Sequence, residues 1–313
     1  MSTTRREIRP DFPFAPRFVD VRGSKMHYID EGAGTTTFLL LHGQPTSVYV
    51  WRNIIPHLSQ VGRVVAVDLI GFGQSDHPPI EYRFVDHRRY IEGFIDTLSL
   101  SNVMFVGHDW GGALAFDYAT RHPDKVGGIA FFETLLMPVP SFDIFPPGPV
   151  RDLFLSIRSG TENDQTPGSG WDVVVNQNLF LKRILPSGIK RTLDPWEIEA
   201  YEAPFRDPAS RKPMWRFPRE IPIAGEPADV HAIVLAYDEY LKHSPVPKLF
   251  LYATPGSASP AAFAKPWVES NVRNIQMVDL GEGFHHLQED HPHEIGSAIA
   301  RWAKKVIESG RDA

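Results

Sequence analysis

The chain of 313 residues carries 32 Lys and Arg against 38 Asp and Glu, which gives a formal net charge of −6. A chain of this length favours one α/β core with an insertion over a string of small domains. No basic run is interleaved with aromatic residues, so we predict no nucleic-acid partner. The absence of cysteine excludes disulfides and thiolate metal sites.

Residues 1–10 are charged, and no apolar segment of the kind found in secretory signals follows them. No stretch of the sequence approaches the length of a membrane span. We therefore expect a cytoplasmic protein that makes no contact with a membrane.

The first 134 residues predict strands that alternate with helical segments, which is the pattern of a parallel sheet. The first two strands are separated by Arg22-Gly23-Ser24, which indicates a hairpin. A continuous apolar run is typical of a central parallel strand, and a helix is predicted over residues 88–98. The predicted strands comprise residues 17–21, 25–30, 37–41, 63–68, 101–106 and 127–133.

The pattern changes at Leu135. From there to Phe217 the chain is rich in Pro, Trp, Phe and Arg and shows no alternation of strands and helices. Residues 171–185 have helical character within this part of the chain. We interpret residues 135–217 as an inserted helical cap.

Strand patterns return at residues 248–254 and 275–280, and residues 295–307 predict an amphipathic closing helix. Together with the first part of the chain, these elements predict one α/β core made of residues 1–134 and 218–313. In this core, helices cover both faces of a mostly parallel central sheet.

Residues Gly107-His108-Asp109-Trp110-Gly111 form the pattern of a sharp strand-to-helix turn that presents a nucleophile at its centre. A buried strand pattern precedes the turn and an apolar helical surface follows it. Small flanking residues let such a turn tighten and expose its central side chain. Here that side chain is Asp109, and a carboxylate can attack a saturated carbon to form an alkyl ester that water must then cleave.

An ester on Asp109 needs a base that activates water. The loop after the last predicted strand contains two candidates, His285 and His286, within Gly281-Glu282-Gly283-Phe284-His285-His286-Leu287. We assign His285 as the base and keep His286 as the alternative, since neighbouring side chains cannot both face one point.

The histidine in turn needs an acid to orient it. Residues 254–260, the usual location of this acid, contain no carboxylate. Glu133 ends a predicted buried strand that is otherwise apolar, and a lone buried acid is costly unless it is paired. We therefore choose Glu133 as the acid.

Negative charge that develops in such a reaction needs hydrogen-bond donors. We predict an oxyanion site from the main-chain N–H groups of Trp110 and of Gln44, which follows His42-Gly43. The amide of Gln44 and the indole N–H of Trp110 are side-chain donors as well. Together these two side chains are predicted to bind a leaving anion such as halide.

A group of histidines and acids lies near the end of the chain. The spacing of these residues fits no metal-binding histidine pair on a helix, so we predict neither a metal ion nor another cofactor. The group consists of His285, His286, Glu289, Asp290, His291 and His293.

These features resemble the haloalkane dehalogenases and the Renilla-type luciferases that share their scaffold. The resemblance extends over about residues 14–302 and implies the α/β-hydrolase fold with an inserted helical cap. It rests on residues 42–47, 51–53, 68–76, 107–111, 215–218, 221–227 and 285–290.

The resemblance implies a catalytic triad of Asp109, Glu133 and His285. It also implies that Trp110 binds halide together with an asparagine after the His-Gly pair, where this chain has Gln44 instead. Glutamine keeps the amide donor but is one methylene longer. The substrate pocket implied by the resemblance comprises the cap-side residues Phe180, Leu181, Phe217 and Pro218 and the tunnel residues Ser257 and Ala258.

We therefore predict hydrolytic dehalogenation by a monomer or weak homodimer, with a halogenated alkane, water and halide ion as its partners. The nearest enzymatic alternative is an epoxide hydrolase, which needs acidic tyrosines on the cap, where Tyr201 is the only tyrosine. A cofactor-independent luciferase that oxidises a coelenterazine-type luciferin is a second alternative. A receptor that keeps the pocket without turnover is a third.

Overall fold

The computed structural model describes residues 7–144, 147 and 149–311. Within these residues, strands form one eight-stranded sheet in the order β1-β2-β4-β3-β5-β6-β7-β8. The strands are β1 Arg17–Val21, β2 Ser24–Glu31, β3 Thr37–Leu41, β4 Arg63–Val67, β5 Val103–His108, β6 Val126–Phe132, β7 Lys248–Pro255 and β8 Ile275–Gly283.

The sheet is antiparallel at one edge and parallel elsewhere. Strand β2 pairs antiparallel with β1, as expected for the predicted hairpin, and also with β4. The remaining neighbours, from β4 through β3 to β8, are parallel. Every residue of β3 and β5 is buried, as in strands that helices cover on both faces. The predicted fold class is thus confirmed.

Helices connect the parallel strands and also fill the long segment between β6 and β7. None of the described helices is both long and apolar enough to cross a membrane. The α-helices are α1 Ile55–Leu58, α2 Phe84–Thr97, α3 Trp110–Arg121, α4 Pro149–Arg158, α5 Leu185–Ser187, α6 Pro195–Glu202, α7 Lys212–Glu220, α8 Ala228–His243, α9 Ala261–Asn271, α10 Leu287–Asp290 and α11 Pro292–Arg311.

Two predicted helices differ from the observed ones. Helix α2 begins at Phe84 rather than at residue 88, because Asp86 in its first turn accepts the main-chain N–H of Arg83 at 3.1 Å. The helical character predicted for residues 171–185 is present, but the helix is not continuous over this range. Two π-helical segments occupy it, with a break at Asn178, whose φ of 57° is incompatible with a right-handed helix.

The described residues between β6 and β7 contribute no strand to the sheet. An arginine stabilises the irregular turns in this segment. The buried guanidinium of Arg211 donates hydrogen bonds to the carbonyl oxygens of Phe205 and Val175, both at 2.7 Å. Such bonds satisfy carbonyl groups that irregular helices leave unpaired. The predicted cap boundary between residues 217 and 218 falls inside α7, which continues to Glu220.

The loops that follow β3, β5, β6, β7 and β8 all leave the sheet at the carboxyl ends of its parallel strands. Ligands of open α/β sheets bind at this edge. The predicted site residues of the core lie in these five loops or directly after them.

Candidate active site

Asp109 lies at the turn between β5 and α3 with φ 53° and ψ −127°. Two contacts hold this strained backbone: its N–H donates to the carbonyl oxygen of Glu133 at 3.1 Å, and its carbonyl oxygen accepts the hydroxyl of Thr134 at 2.6 Å. A Cβ atom on Gly111 would lie 2.0 Å from the carbonyl oxygen of Leu41, so only glycine lets the turn approach β3 this closely.

The carboxylate of Asp109 faces the loop after β3. Its Oδ1 accepts the main-chain N–H of Gln44 at 2.9 Å. A Cβ atom on Gly43 would lie only 2.2 Å from the same oxygen, which requires glycine there. Burial raises the pKa of Asp109, while the charge of His285 and the main-chain donors Trp110 and Gln44 act against that shift.

The turn that carries Gln44 is fixed by the buried His42. The Nε2 atom of His42 accepts the main-chain N–H of Leu69 at 3.0 Å, so the proton is on Nδ1, which donates to the carbonyl oxygen of Gly43 at 2.8 Å. The histidine thus ties the loop after β3 to the loop after β4. Sequence reasoning did not assign this role to His42.

His285 lies between Asp109 and Glu133. Its Nε2 is 3.7 Å from Oδ2 of Asp109, and its Nδ1 is 3.2 Å from Oε2 of Glu133. A carboxylate at Nδ1 favours the tautomer in which Nδ1 carries the proton and Nε2 presents its lone pair to Asp109. Burial by itself lowers the pKa of His285, but the hydrogen bond to Glu133 and the charges of Asp109 and Glu133 raise it above its ordinary value.

Glu133 is 2 % exposed and follows β6 directly. Its Oε2 accepts the main-chain N–H groups of Ser257 at 3.0 Å and of Ala258 at 2.7 Å. These residues belong to the loop after β7, the loop in which the sequence shows no carboxylate. The loop after β7 therefore supplies main-chain donors that bind the carboxylate, whereas the carboxylate itself follows β6. Main-chain donors leave no signature in a sequence, so this contact was not predictable.

The loop that carries His285 is also attached to the elbow strand. The Nε2 of His108 donates to the carbonyl oxygen of His285 at 2.9 Å. The alternative base, His286, is 1 % exposed and packs on His108 with ring centroids 5.5 Å apart. Burial and the neighbouring charge of His285 lower the pKa of His286 well below its ordinary value. This environment disfavours His286 as the base.

The two side-chain donors predicted for an anion have no hydrogen-bond partner in the described part of the chain. The indole of Trp110 stacks on Phe217 of the cap, with ring centroids 4.9 Å apart and an angle of 14° between the planes. Its Nε1 and the Nε2 of Gln44 take part in no hydrogen bond to another described residue, whereas Oε1 of Gln44 is buried without a partner. Both nitrogens are therefore available to a ligand.

The predicted pocket residues occupy two different environments. Phe180, Leu181, Phe217 and Pro218 are buried, and Phe217 contacts the site directly through Trp110. Ser257 and Ala258 are exposed, and their main-chain N–H groups contact Glu133. The roles of all six in a substrate pocket stay predictions.

The other members of the histidine and acid group are engaged in separate contacts. Glu289 and Asp290 bind residues of the cap segment, as described below. His291 contacts the carbonyl oxygen of Glu282, and His293 contacts His57. The ring nitrogens of His108, His285 and His286 lie within 4.8 Å of one another. The Nε2 of His108 donates to a carbonyl oxygen, and both ring nitrogens of His285 face carboxylates, so these atoms have other partners.

The chain is similar to proteins of known family over nearly its whole length. A family model for the alpha/beta hydrolase fold matches residues 36–155. A haloalkane dehalogenase of Mesorhizobium japonicum is 42% identical over 290 residues, which cover 92% of this chain and 91% of that protein. One of Sphingobium indicum is 41% identical over 304 residues, which cover 94% and 97% of the two chains.

Solved structures agree with these relatives. The haloalkane dehalogenase DbeA from Bradyrhizobium elkani superposes with a TM-score of 0.87 at 40% identity, covering 95% of this chain and 99% of that one. The haloalkane dehalogenase DatA from Agrobacterium tumefaciens gives 0.85 at 34% identity, with coverage of 93% and 97%. On its sequence, its sheet and the geometry around Asp109, the chain belongs to the haloalkane dehalogenase family of the α/β-hydrolase fold.

Proposed function

We propose that this protein hydrolyses haloalkanes to alcohol, halide and proton through an alkyl ester on Asp109. The observation that carries the proposal is a carboxylate at the strand-to-helix turn with a histidine nitrogen 3.7 Å away. The side-chain N–H groups of Trp110 and Gln44, which donate to no other described residue, accompany it. Relatives named haloalkane dehalogenase, at about two-fifths identity over nine-tenths of the chain, support the same reaction.

In the first step, an oxygen of Asp109 forms a bond to the halogen-bearing carbon. The carbon–halogen bond breaks, and its electron pair leaves with the halide. The indole N–H of Trp110 and the amide of Gln44 stabilise the charge that develops on the leaving atom. This step moves no proton, so it does not require His285.

In the second step, water attacks the carbonyl carbon of the ester, and Nε2 of His285 takes the proton of that water. The main-chain N–H groups of Gln44 and Trp110 stabilise the oxyanion. When the intermediate collapses, the alkoxide leaves and takes the proton from His285 to become the alcohol. Asp109 is left as a carboxylic acid, which ionises and releases the proton that accompanies halide.

The electrostatics of the site favour this order of events. In the free protein the negative charge of Asp109 helps to raise the pKa of His285. Esterification removes that charge, so the pKa of His285 falls just when the reaction requires a neutral imidazole. Glu133 remains charged, keeps Nδ1 protonated and stabilises the imidazolium that forms next.

We also propose that residues 135–217 form the cap over this site and that Phe180, Leu181, Phe217 and Pro218 line the substrate pocket from the cap side, with Ser257 and Ala258 near the entrance. The stacking of Phe217 on Trp110 supports this placement for the cap. A monomer or weak homodimer suffices for the reaction, because one chain supplies every residue proposed for it. Light scattering at the concentration of the activity assay tests the oligomeric state.

The experiment that tests the function measures halide and proton release from 1-bromobutane and 1,2-dibromoethane. We expect turnover in the native protein and none in Asp109→Asn, in which the nucleophilic carboxylate is lost. His285→Gln should release one halide per active site and then stop, with the mass increase of an alkyl adduct. Full turnover by folded Asp109→Asn would refute the proposal.

Epoxide opening finds no support at the cap. Such a reaction needs a tyrosine hydroxyl that protonates the epoxide oxygen. The buried hydroxyl of Tyr201, the only tyrosine of residues 135–217, donates to the carboxylate of Glu289 instead. We therefore expect halide release to exceed epoxide hydrolysis in a direct comparison.

A further inference from the structure

The loop that carries His285 is bound to the cap segment through the main chain. The N–H groups of His285 and His286 both donate to the carbonyl oxygen of Gly188, at 3.0 and 2.9 Å. Gly188 follows α5 and belongs to the segment between β6 and β7. The main chain of the candidate base is therefore held from two sides, by Gly188 at its N–H and by His108 at its carbonyl oxygen.

Asp290 fastens the same cap segment a few residues further along. Its Oδ2 accepts the main-chain N–H of Lys190, and its Oδ1 accepts that of Arg191, both at 2.9 Å. Asp290 ends α10 and is 8 % exposed. One carboxylate thus binds two successive peptide groups of the cap and fixes their distance from the loop of His285. Hydrogen bonds to a charged acceptor are the stronger kind.

Glu289 adds a third attachment. Its carboxylate binds Arg52 of the core through two hydrogen bonds of 2.6 and 2.7 Å, and it also binds the guanidinium of Arg191 and the hydroxyl of Tyr201. The carbonyl oxygen of Glu289 accepts Nε of Arg191 at 2.6 Å. Cap and core are therefore joined at α10, directly after the candidate base.

The contact at Gly188 is tight for a larger residue. A Cβ atom there would lie 3.2 Å from Cβ of His285 and 3.0 Å from Cδ2 of His286. Both distances are shorter than ordinary carbon–carbon contacts of about 3.5–4.0 Å. Residue 188 therefore lies directly against both histidines, and its carbonyl oxygen accepts their main-chain N–H groups.

We propose that residues 188–191 of the cap position the catalytic base, and that Asp290 is the positioning residue that holds them. The proposal rests on the two-step reaction above. Asp290 touches no reacting atom; it keeps Nε2 of His285 within reach of the water that cleaves the ester. The cap segment consequently contributes to ester hydrolysis as well as to the walls of the pocket.

Measuring the two steps of the reaction separately distinguishes a positioning role of Asp290 from an effect on the stability of the whole protein. Formation of the ester and release of halide do not involve His285, whereas hydrolysis of the ester does. A displaced base therefore slows hydrolysis alone, and a misplacement of about 1 Å can cost around 100-fold in rate. Loss of folded protein instead reduces the amplitude of halide release without changing the hydrolysis rate of the molecules that remain active.

The experiment is a rapid-quench measurement with 1,2-dibromoethane on the full chain, followed by mass analysis of the adduct. We expect Asp290→Ala to release its first bromide at the native rate and to hydrolyse the ester about 10- to 100-fold more slowly, with adduct accumulating. Asp290→Asn should be intermediate, because its amide oxygen can still accept one of the two N–H groups.

Gly188→Ala is the second variant, and it decides the matter if Asp290→Ala fails to fold. Its added methyl group presses on His285, so we expect the same selective slowing of ester hydrolysis. The matched control is Glu282→Gln, which removes an exposed ion pair between Lys190 and the end of β8 and should leave both rates unchanged. Native hydrolysis rates in folded Asp290→Ala or Gly188→Ala would overturn the proposal.

A failure of the reaction itself would look different. If the native protein released no bromide and formed no adduct, the proposed two-step function would be refuted. The positioning role, which rests on that function, would then be refuted as well. If the native protein turned over and the variants kept its hydrolysis rate, only the positioning role would be refuted.

Discussion

Among single residues, Gln44 has two proposed roles, one for its main chain and one for its side chain. Its main-chain N–H contacts Asp109 and depends on the turn made by His42 and Gly43, not on the side chain. The Nε2 of its side-chain amide donates to no other described residue. Where the resemblance implies asparagine, glutamine can therefore change the leaving-group site without disturbing the oxyanion donor.

Replacing Gln44 by alanine tests this separation. Because one donor to the leaving halide is lost, we expect the rate of halide release to fall by about 10²- to 10³-fold. Ester hydrolysis should keep its native rate, since the main-chain N–H remains. A bromide burst followed by a chase measures both steps, and equal slowing of the two would contradict the assignment. Gln44→Asn serves as the control that restores a donor.

We predict that Glu133 governs both the rate and the pH dependence of ester hydrolysis. Its hydrogen bond and charge raise the pKa of His285, so removal of the charge lowers that pKa. In Glu133→Gln the acid limb of the hydrolysis rate should consequently move to lower pH, while the maximal rate falls by about 10²- to 10⁴-fold. An acid limb that moves to higher pH would contradict this electrostatic role.

At the scale of elements, the four-residue helix α10 joins the last strand loop to both the core and the cap. An isolated helix this short has no stability of its own, so its position comes from its contacts. Glu289, which is fully buried, contributes two hydrogen bonds to Arg52, whose position in the chain lies 237 residues away. The guanidinium of Arg52 also binds Glu197 of the cap at 2.6 Å.

Substitution of Arg52 by methionine removes a positive charge and two hydrogen bonds that offset the desolvation of the buried Glu289 carboxylate. Breaking a buried ion pair on one side costs about 3–5 kcal/mol, and we expect a loss of this size in the free energy of unfolding by urea. The exposed pair of Lys125 and Asp96 is the comparison, and Lys125→Met should cost about 1 kcal/mol or less. Equal effects of the two substitutions would show that the buried network adds no stability.

The buried network of Glu289, Arg52 and Arg191 predicts how the free energy of unfolding changes at acid pH. Burial raises the pKa of Glu289, but the charges and hydrogen bonds of Arg52 and Arg191 outweigh burial and lower it below the ordinary 4.5. The unfolded chain then binds the proton first, so this contribution is present above pH 4.5 and is lost as the pH falls further. In Arg52→Met the loss between pH 5 and pH 3, measured by urea unfolding, should be smaller. An identical pH dependence would contradict the assignment.

At the scale of the whole molecule, the contacts at Gly188, Glu289 and Asp290 join residues 135–217 to the core. We therefore expect cap and core to unfold together. Hydrogen exchange in low urea measures this directly: peptides from α6 in the cap and from α3 in the core should report similar free energies of opening. Opening of α6 at several kcal/mol less than α3 would indicate a cap that moves independently.

Local features of the chain were sufficient to identify much of the site. The turn at Asp109 was recognisable because its pattern spans only a few successive residues between a strand and a helix. Glu133 was identifiable because an acid at the end of an apolar strand needs a partner. The interruption of the helical residues 171–185 was not predictable, because the local pattern does not reveal that Asn178 adopts a positive φ.

Periodicity and side-chain chemistry are visible in the sequence, so they were enough to predict the parallel sheet, the carboxylate at the turn and the candidate base and acid. How these groups are held depends on contacts between distant parts of the chain. The donors to Glu133 are peptide N–H groups of Ser257 and Ala258, and the acceptor for the loop of His285 is the carbonyl oxygen of Gly188. Every residue type carries such main-chain groups, so the sequence does not show which of them will form a hydrogen bond. The fold decides this by bringing a particular donor and acceptor close together.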